Sequence, residues 1–206
     1  MDEKTAAARA LALSLIASCE APAADEATQR LFMQFARDRV DCCERTCEPG
    51  HFTGSAWVVS TDGERTLLLH HRKLDRWLQP GGHADGEGDL ASVALREAEE
   101  ETGLQGLRVE GGVFDLDRHV IPARGAEPEH FHYDVRFVVR ASRQEDFIVS
   151  EESHALKWIP IREIADDDHA DESVRRMARK WLDQKKGSEE VIRESDVGKS
   201  HSRQRE

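Results

Sequence analysis

Residues 82–104 read GHADGEGDLASVALREAEEETGL, and the second half of this segment decides what kind of fold the chain can form. Glu97, Glu100 and Glu101 are spaced by three and four residues, so on a helix all three side chains project from one face. Carboxylates this close repel one another unless a cation neutralises them, and Mg²⁺ and Mn²⁺ prefer oxygen ligands. The segment therefore predicts a helix that presents a divalent metal site.

The alternative interpretation of this segment is a solvated acidic helix stabilised by ordinary charge pairs. Such a helix would interleave lysine or arginine with the acids, whereas residues 96–104 contain one arginine and four glutamates. Pro80-Gly81-Gly82 stands directly before the helix, where glycines let the backbone pass close to a ligand or a metal. Both observations favour the metal-binding interpretation.

The segment resembles the Nudix box, whose pattern is Gly, five residues, Glu, seven residues, Arg-Glu, an apolar residue, any residue, Glu-Glu, any residue, Gly and an apolar residue. Gly82 fits the first position, and seven residues of the second half fit in register: Arg96, Glu97, Ala98, Glu100, Glu101, Gly103 and Leu104. The isolated Glu of the pattern is replaced by Gly88. Its neighbours Glu87 and Asp89 could substitute from shifted positions, so the departure concerns activity more than fold.

The resemblance implies an α/β/α sandwich with a mixed β-sheet, formed by residues 49–185. It also implies that Glu100 and Glu101 bind Mg²⁺ or Mn²⁺ and that Glu97 is a further ligand or the base that deprotonates water. The Gly81 carbonyl would add a ligand from the backbone. Arg96 would pair with a nearby carboxylate and hold the box loop onto the helix.

Nudix proteins often recruit one more acidic residue from outside the box. In Ser150-Glu151-Glu152-Ser153-His154 we expect Glu152 to be this metal ligand, with a solvated acidic loop as the alternative.

The function implied by the resemblance is metal-dependent hydrolysis of the pyrophosphate linkage in a nucleoside diphosphate derivative or similar small diphosphate. An isopentenyl-diphosphate-isomerase-like activity is an alternative, but it needs a catalytic cysteine, and every cysteine here precedes the domain core. A non-catalytic ligand-binding or regulatory module is another alternative, and Gly88 is the feature that favours it.

Residues 130–139 alternate strictly between polar and apolar, which predicts a strand with two different faces. Phe131, Tyr133, Val135 and Phe137 form the apolar face, and His130, His132, Asp134 and Arg136 form the polar face. Substrate contacts by His130, His132 and Arg136 are one interpretation. An exposed polar edge, or a second metal site that includes Asp117 and His119, are the others. Trp77 could stack on a base, and a buried tryptophan at a strand end is the alternative.

Outward from these motifs, the sequence divides into three parts. Residues 1–48 predict an N-terminal helical extension, with helices at Thr5–Ser18 and along the stripe of Leu31, Phe32, Phe35 and Val40. Residues 49–185 predict the strands Gly54–Ser60, Thr66–His71, Asp146–Ser150 and Ala155–Ile159 and the helices Leu90–Thr102 and Asp171–Lys185. Residues 186–206, with few apolar side chains, predict a disordered tail.

Composition limits the partners of the 206-residue chain. Its net charge of −12 argues against a nucleic acid polymer, although a bound cation can invert the sign inside a site. The apolar run from Ala6 to Ile16 is too short to span a bilayer, so we expect no membrane partner and a cytoplasmic location. The N-terminal extension could form a homodimer contact.

The four cysteines include the adjacent Cys42 and Cys43, which suit a disulfide framework poorly. Cys43, Cys47 and His51 do not have the spacing of a standard zinc site. We therefore expect free thiols.

Overall fold

The computed structural model describes residues 3–19, 26–72, 74–143, 145–149 and 153–201, with side chains described as far as residue 187. Five helices are described: α1 (Glu3–Ala17), α2 (Glu26–Asp38), α3 (Leu90–Thr102), α4 (Ile161–Asp166) and α5 (Glu172–His201). Seven strands are described: β1 (Gly50–Val59), β2 (Arg65–His71), β3 (Arg76–Leu78), β4 (Gly81–His83), β5 (Arg108–Ile121), β6 (His130–Arg140) and β7 (Ser153–Pro160).

The described strands form one mixed sheet in the order β3-β2-β1-β6-β5. β1 and β6 run parallel along their whole length, and β5 is antiparallel to β6. β4 pairs with β1 and β7 pairs with β2, off this path. β1 therefore lies at the centre and contacts three other strands.

One face of this sheet is apolar. Phe52 on β1 and Tyr133, Val135 and Phe137 on β6 are buried there, because alternate residues of a strand point to the same side. α3 packs on this face through a row of buried residues: Leu90, Val93, Ala94 and Ala98.

The N-terminal helices share this core rather than forming a separate body. Phe32 and Phe35 of α2 contact Tyr133, at ring-centroid distances of 5.3 and 3.8 Å. Ala8, Ala12 and Ile16 of α1 are buried at spacings of four residues, which gives α1 one core-facing side. Leu31 is partly exposed, so the predicted stripe is narrower than expected.

The chain divides into two compact units, Met1–Ile159 and Pro160–Glu206. In the second unit α4 and α5 contact each other, and Arg179 Nε donates to the Ala165 carbonyl at 3.1 Å. No helix in the described parts of the chain is both long and apolar enough to cross a membrane.

Two predictions from the sequence are wrong. Residues 146–149 are not a strand, because the Ile148 amide donates to Thr102 O at the end of α3 (2.7 Å) and the Ile148 side chain is 71% exposed. The helix predicted to end at Lys185 continues to His201 as α5. The disordered tail predicted for residues 186–206 stays a prediction, and residues 202–206 lie outside the described residues. The glutamate, lysine and arginine residues of the segment 186–201 have favourable helix propensities, whereas Gly187 and Gly198 oppose a helix.

The contribution of α2 to the core can be measured with Phe32→Ala. Phe32 is fully buried between Phe52 and Tyr133, so truncation should lower the free energy of unfolding by about 3–5 kcal/mol. Leu31→Ala, on the exposed side of the same helix, should change it by only about 0.5 kcal/mol. Urea denaturation of both variants makes the comparison, and equal losses would show that α2 does not dock as described.

Candidate functional site

The box helix α3 begins and ends as the sequence predicts. Asp89 caps its first turn by accepting hydrogen bonds from the Ser92 amide (3.3 Å) and hydroxyl (2.8 Å). Gly103 ends the helix in the left-handed region, and its amide donates to the Glu99 carbonyl. Glu87 accepts from the Asp89 amide at 2.9 Å. Both acidic neighbours of Gly88 therefore help to start the helix.

The carboxylates of α3 lie against β4. The Gly81 amide donates to Glu101 Oε2 at 2.9 Å. The Glu97 carboxylate packs so closely on Gly82 that a Cβ atom at position 82 would collide with it. β4 is fixed by its pairing with β1, in which Gly81 lies opposite Ser55 and Gly82 opposite Gly54. The glycines thus allow the carboxylates to approach the strand.

Arg96 holds two of these carboxylates. Its Nη1 lies 2.6 Å from Glu97 Oε1 and 3.5 Å from Glu100 Oε2. Both of these partners belong to its own helix, and the Arg96 charge also helps to lower the pKa of Asp85 in the box loop. That Arg96 holds the box loop onto α3 stays a prediction, and its contacts offset the repulsion among neighbouring acids.

The chemical type of the donors at this junction suits a hard divalent cation, although their carboxylate oxygens do not all lie within 4.8 Å of one another. Glu97, Glu100 and Glu101 offer carboxylate oxygens. The absence of a side chain at Gly82 leaves room for the Glu97 carboxylate, and any larger residue at position 82 would collide with it. The roles of Glu97 and of the Gly81 carbonyl stay predictions. Glu152 lies outside the described residues.

Gly88 is explained by α1. A Cβ atom at position 88 would collide with the backbone of Ala8, including its carbonyl oxygen. Because backbone atoms of a packed helix have little freedom to move, any side chain at position 88 must displace α1. The N-terminal helix therefore occupies the space into which a glutamate of the usual box pattern would extend.

The segment before β1 also holds the box loop. The Gly86 amide donates to the Cys43 carbonyl at 2.9 Å, and Arg45 forms two 2.6 Å contacts with the Asp85 carboxylate. The guanidinium of Arg45 keeps the pKa of Asp85 below its ordinary value. These contacts attach the loop to the N-terminal region from a second side.

The other face of the sheet is polar and buried. Asp134 accepts hydrogen bonds from the Thr53 and Ser55 hydroxyls at 2.9 and 2.7 Å. Arg136 is 98% buried and contacts three carboxylates: Asp134 at 2.7 Å, Asp117 at 3.1 Å and Asp115 at 3.3 Å. Burial lowers the pKa of Arg136, but the three carboxylates outweigh it and the net change is upward.

This burial corrects the interpretation of the polar face as an exposed edge. The predicted substrate contact by Arg136 is also wrong, because its guanidinium is enclosed and engaged by carboxylates. His130 is likewise buried, with Nδ1 held 2.9 Å from the Pro128 carbonyl. Arg136 supports the network instead.

A histidine cluster stands at one end of the polar face. His51, His83 and His132 have their ring centroids 5.0 Å apart in every pair, and one potential ligand nitrogen from each lies within 4.8 Å of the others. The strand register explains the meeting, because His51 pairs with His132 across β1 and β6, and β4 brings His83 opposite Thr53. In the described ranges this is the one such group of three metal-ligand side chains.

The cluster consists of neutral imidazoles. Burial, followed by the neighbouring His83 and His130, lowers the pKa of His51 to about 4. Burial, followed by the neighbouring His83 and His51, lowers the pKa of His132 to about 2. Burial, followed by the charge of Arg45, lowers the pKa of His83. At neutral pH each ring therefore carries a lone pair on one nitrogen.

Sequence reasoning missed His51 and His83 as members of this cluster. It considered His51 only together with Cys43 and Cys47, and it gave His83 no firm role. The alternation of His51, Thr53 and Ser55 along β1 was the available signal, since it matches the polar face of β6.

Two other predictions concern side chains near the site. Trp77 is half-buried and stacks on His70 at a centroid distance of 5.1 Å, so its contact with substrate stays a prediction. Cys42, Cys43 and Cys47 are buried free thiols, as expected, and burial raises the pKa of Cys47 to about 12.

A family model for the NUDIX domain matches residues 51–181 of the chain. The chain belongs to the NUDIX domain family. The C. elegans Ap4A hydrolase structure superposes with a TM-score of 0.53 at 18% identity, covering 66% of this chain and 98% of that one. The structure of the MutT protein of Methanosarcina mazei Go1 superposes with a TM-score of 0.52 at 20% identity, covering 68% of this chain and 99% of that one. These likenesses confirm the predicted Nudix sandwich fold.

Two relatives share more sequence over shorter stretches. A putative 8-oxo-dGTP diphosphatase 3 of Mycobacterium tuberculosis is 32% identical over 110 residues, which are 51% of this chain and 49% of that protein. A CMP-5'-(N-acetyl-N-hydroxy-3-aminopropyl)phosphonate hydrolase of Streptomyces rubellomurinus is 34% identical over 87 residues, which are 36% of this chain and 42% of that protein. The chain thus spans about half the length, or less, of these curated relatives.

The contact between Gly88 and α1 predicts the effect of Gly88→Ala. The added methyl group must push the Ala8 backbone away, so the free energy of unfolding should fall by about 1–3 kcal/mol and hydrogen exchange in α1 should speed up. Gly112→Ala is the matched control, because no atom lies within 4 Å of a Cβ there. Unchanged stability and unchanged exchange in Gly88→Ala would contradict the docking of α1 on the box loop.

Proposed function

We propose that this protein is a metal-dependent hydrolase that cleaves the pyrophosphate linkage of a nucleoside diphosphate derivative or a similar small diphosphate. The observation that carries the proposal is the placement of Glu97 and Glu101 against the glycines of β4, with Glu100 beside them on the same helix. This arrangement concentrates oxygen ligands next to a backbone with no side chains in the way.

The names of the relatives point to the same class of substrate. One is called a diphosphatase acting on 8-oxo-dGTP, and the other a hydrolase acting on a CMP-linked phosphonate. Both names describe hydrolytic reactions of nucleotides, which supports a small phosphorylated nucleotide as the substrate here.

The proposed roles follow from the contacts of each side chain. Mg²⁺ or Mn²⁺ bound at α3 would neutralise phosphate oxygens and lower the pKa of a coordinated water. Glu100 and Glu101 would supply oxygen ligands, and the Gly81 amide would orient Glu101. Arg96 would keep Glu97 and Glu100 in place. Glu97, only 16% exposed in its side chain, would be a third ligand or the acceptor of the water proton.

The cysteines do not fit the isomerase-like alternative. Cys42, Cys43 and Cys47 are buried, and the thiol pKa values of Cys42 and Cys47 are raised, so these two stay protonated near neutral pH. The packing of Gly88 against Ala8 offers an explanation of the missing box glutamate that does not require a non-catalytic module.

The hydrolase is tested by product release from nucleoside di- and triphosphates, dinucleoside polyphosphates, ADP-ribose and nucleotide sugars with Mg²⁺ and with Mn²⁺. We expect turnover of one class that EDTA abolishes. Glu100→Gln and Glu101→Gln should each lower kcat/KM by about 100-fold or more, since several kcal/mol of transition-state stabilisation is at stake. Glu99→Gln, whose side chain leaves the opposite side of α3, should retain activity. Full activity in both site variants would overturn the assignment.

Glu97→Gln separates the two roles left for Glu97. Loss of a ligand should raise the Mg²⁺ concentration needed for half-maximal activity. Loss of a base should instead lower kcat at unchanged metal dependence and remove the acidic limb of the pH–rate profile. Activity equal to wild type at every Mg²⁺ concentration and pH would exclude both roles.

A further inference from the structure

We propose that His51, His83 and His132 form a second metal site, which binds a divalent transition-metal ion of the zinc class and is chemically distinct from the carboxylate site on α3. The proposal goes beyond hydrolysis and does not depend on it. It rests on the geometry of the three rings, on buried nitrogens without partners and on the type of ligand offered.

The geometry is close to that of a three-histidine site. The candidate ligand nitrogens lie within 4.8 Å of one another, and nitrogens that share one tetrahedral zinc ion lie about 3.3 Å apart, because each Zn–N bond is about 2.0–2.1 Å. A movement of each ring by roughly 1 Å, through small side-chain rotations, closes this difference. Three separate strands supply the ligands, so the site is set by the fold rather than by a flexible loop.

Unpartnered nitrogens provide the second observation. His51 is 98% buried, and neither of its ring nitrogens has a hydrogen-bond partner of ordinary geometry in the described part of the chain, although the Cys47 backbone lies close enough to raise its pKa. His132 Nε2 is also buried and has no hydrogen-bond partner among the described residues. Leaving a buried donor or acceptor without a partner costs about 1–3 kcal/mol, so the unpartnered nitrogens of the neighbouring His51 and His132 rings need a reason. A bound cation would satisfy one nitrogen of each ring.

Neighbouring groups hold adjacent histidines in the orientation found around metal ligands. His119 Nδ1 lies 3.0 Å from Asp117 Oδ2, and its ring is 5.4 Å from that of His132. His130 Nδ1 lies 2.9 Å from the Pro128 carbonyl, and its Nε2, which has no hydrogen-bond partner among the described residues, belongs to a ring 5.0 Å from that of His51. With Nδ1 donating, Nε2 of His130 carries the lone pair, but His130 does not belong to the group of three whose ligand atoms meet.

The ligand type selects the ion. Imidazole nitrogen suits Zn²⁺, Co²⁺, Ni²⁺ and Cu²⁺, whereas Mg²⁺ prefers oxygen. The two sites can therefore be loaded separately, although His83 lies only one residue after the Gly82 that cradles Glu97.

The test titrates the chelator-treated full-length chain with Zn²⁺ in the presence of excess Mg²⁺ and measures bound zinc by equilibrium dialysis. We expect about one tightly bound equivalent, and a Co²⁺ complex whose visible spectrum lacks a thiolate charge-transfer band. His83→Gln and His132→Gln should each weaken zinc binding by on the order of 100-fold or more.

Two control variants bind zinc as the wild type does if the proposal is right. His154→Gln removes an exposed histidine outside the cluster, and Glu100→Gln removes a carboxylate of the box. Circular dichroism verifies that each variant is folded, and a zinc-induced rise in the Tm of the wild type gives a readout that needs no variant. Absence of both zinc binding and a Tm rise in the wild type overturns the proposal, as does unchanged binding in folded His83→Gln and His132→Gln.

Discussion

The position of β1 at the centre of the sheet is the constraint on which the rest of the structure depends. β1 is buried along its whole length and pairs with β2, β4 and β6. Because successive side chains of a strand point to opposite faces, its register assigns every residue either to the apolar core or to the polar network. A slip of one residue relative to β6 would exchange Phe52 and His51 between the two faces. The different chemistry of the two faces therefore favours one register of this pairing over its neighbours.

The polar face would be costly if its groups were not paired with one another. Arg136 and its three aspartates are largely removed from water. Removal of either partner would leave a buried charge without compensation and lower the stability of the fold. The hydroxyls of Thr53 and Ser55 satisfy the remaining lone pairs of Asp134 Oδ1. The network thereby fixes the side chains of β1, β5 and β6 that stand beside the histidine cluster, and gives that cluster a rigid base.

The N-terminal helices are part of the framework that shapes the box. α2 completes the apolar core through Phe32 and Phe35, α1 fills the space next to Gly88, and the Arg45–Asp85 pair attaches the loop that connects β4 to α3. The box position that departs from the family pattern thus packs against a segment that lies outside the matched family region.

The sequence by itself determined the elements governed by local rules. The bounds of α3 follow from Asp89, from Gly103 and from apolar spacing, and the alternation in β6 follows from its period of two. The spacing of Glu97, Glu100 and Glu101 likewise fixed their common face. Only the tertiary structure decided that the polar face of β6 is buried, that Arg136 serves a network and that α1 replaces a side chain at position 88. It also decided that His51, His83 and His132 meet, because these contacts join residues from 32 to 81 positions apart and depend on strand register, which no local pattern contains.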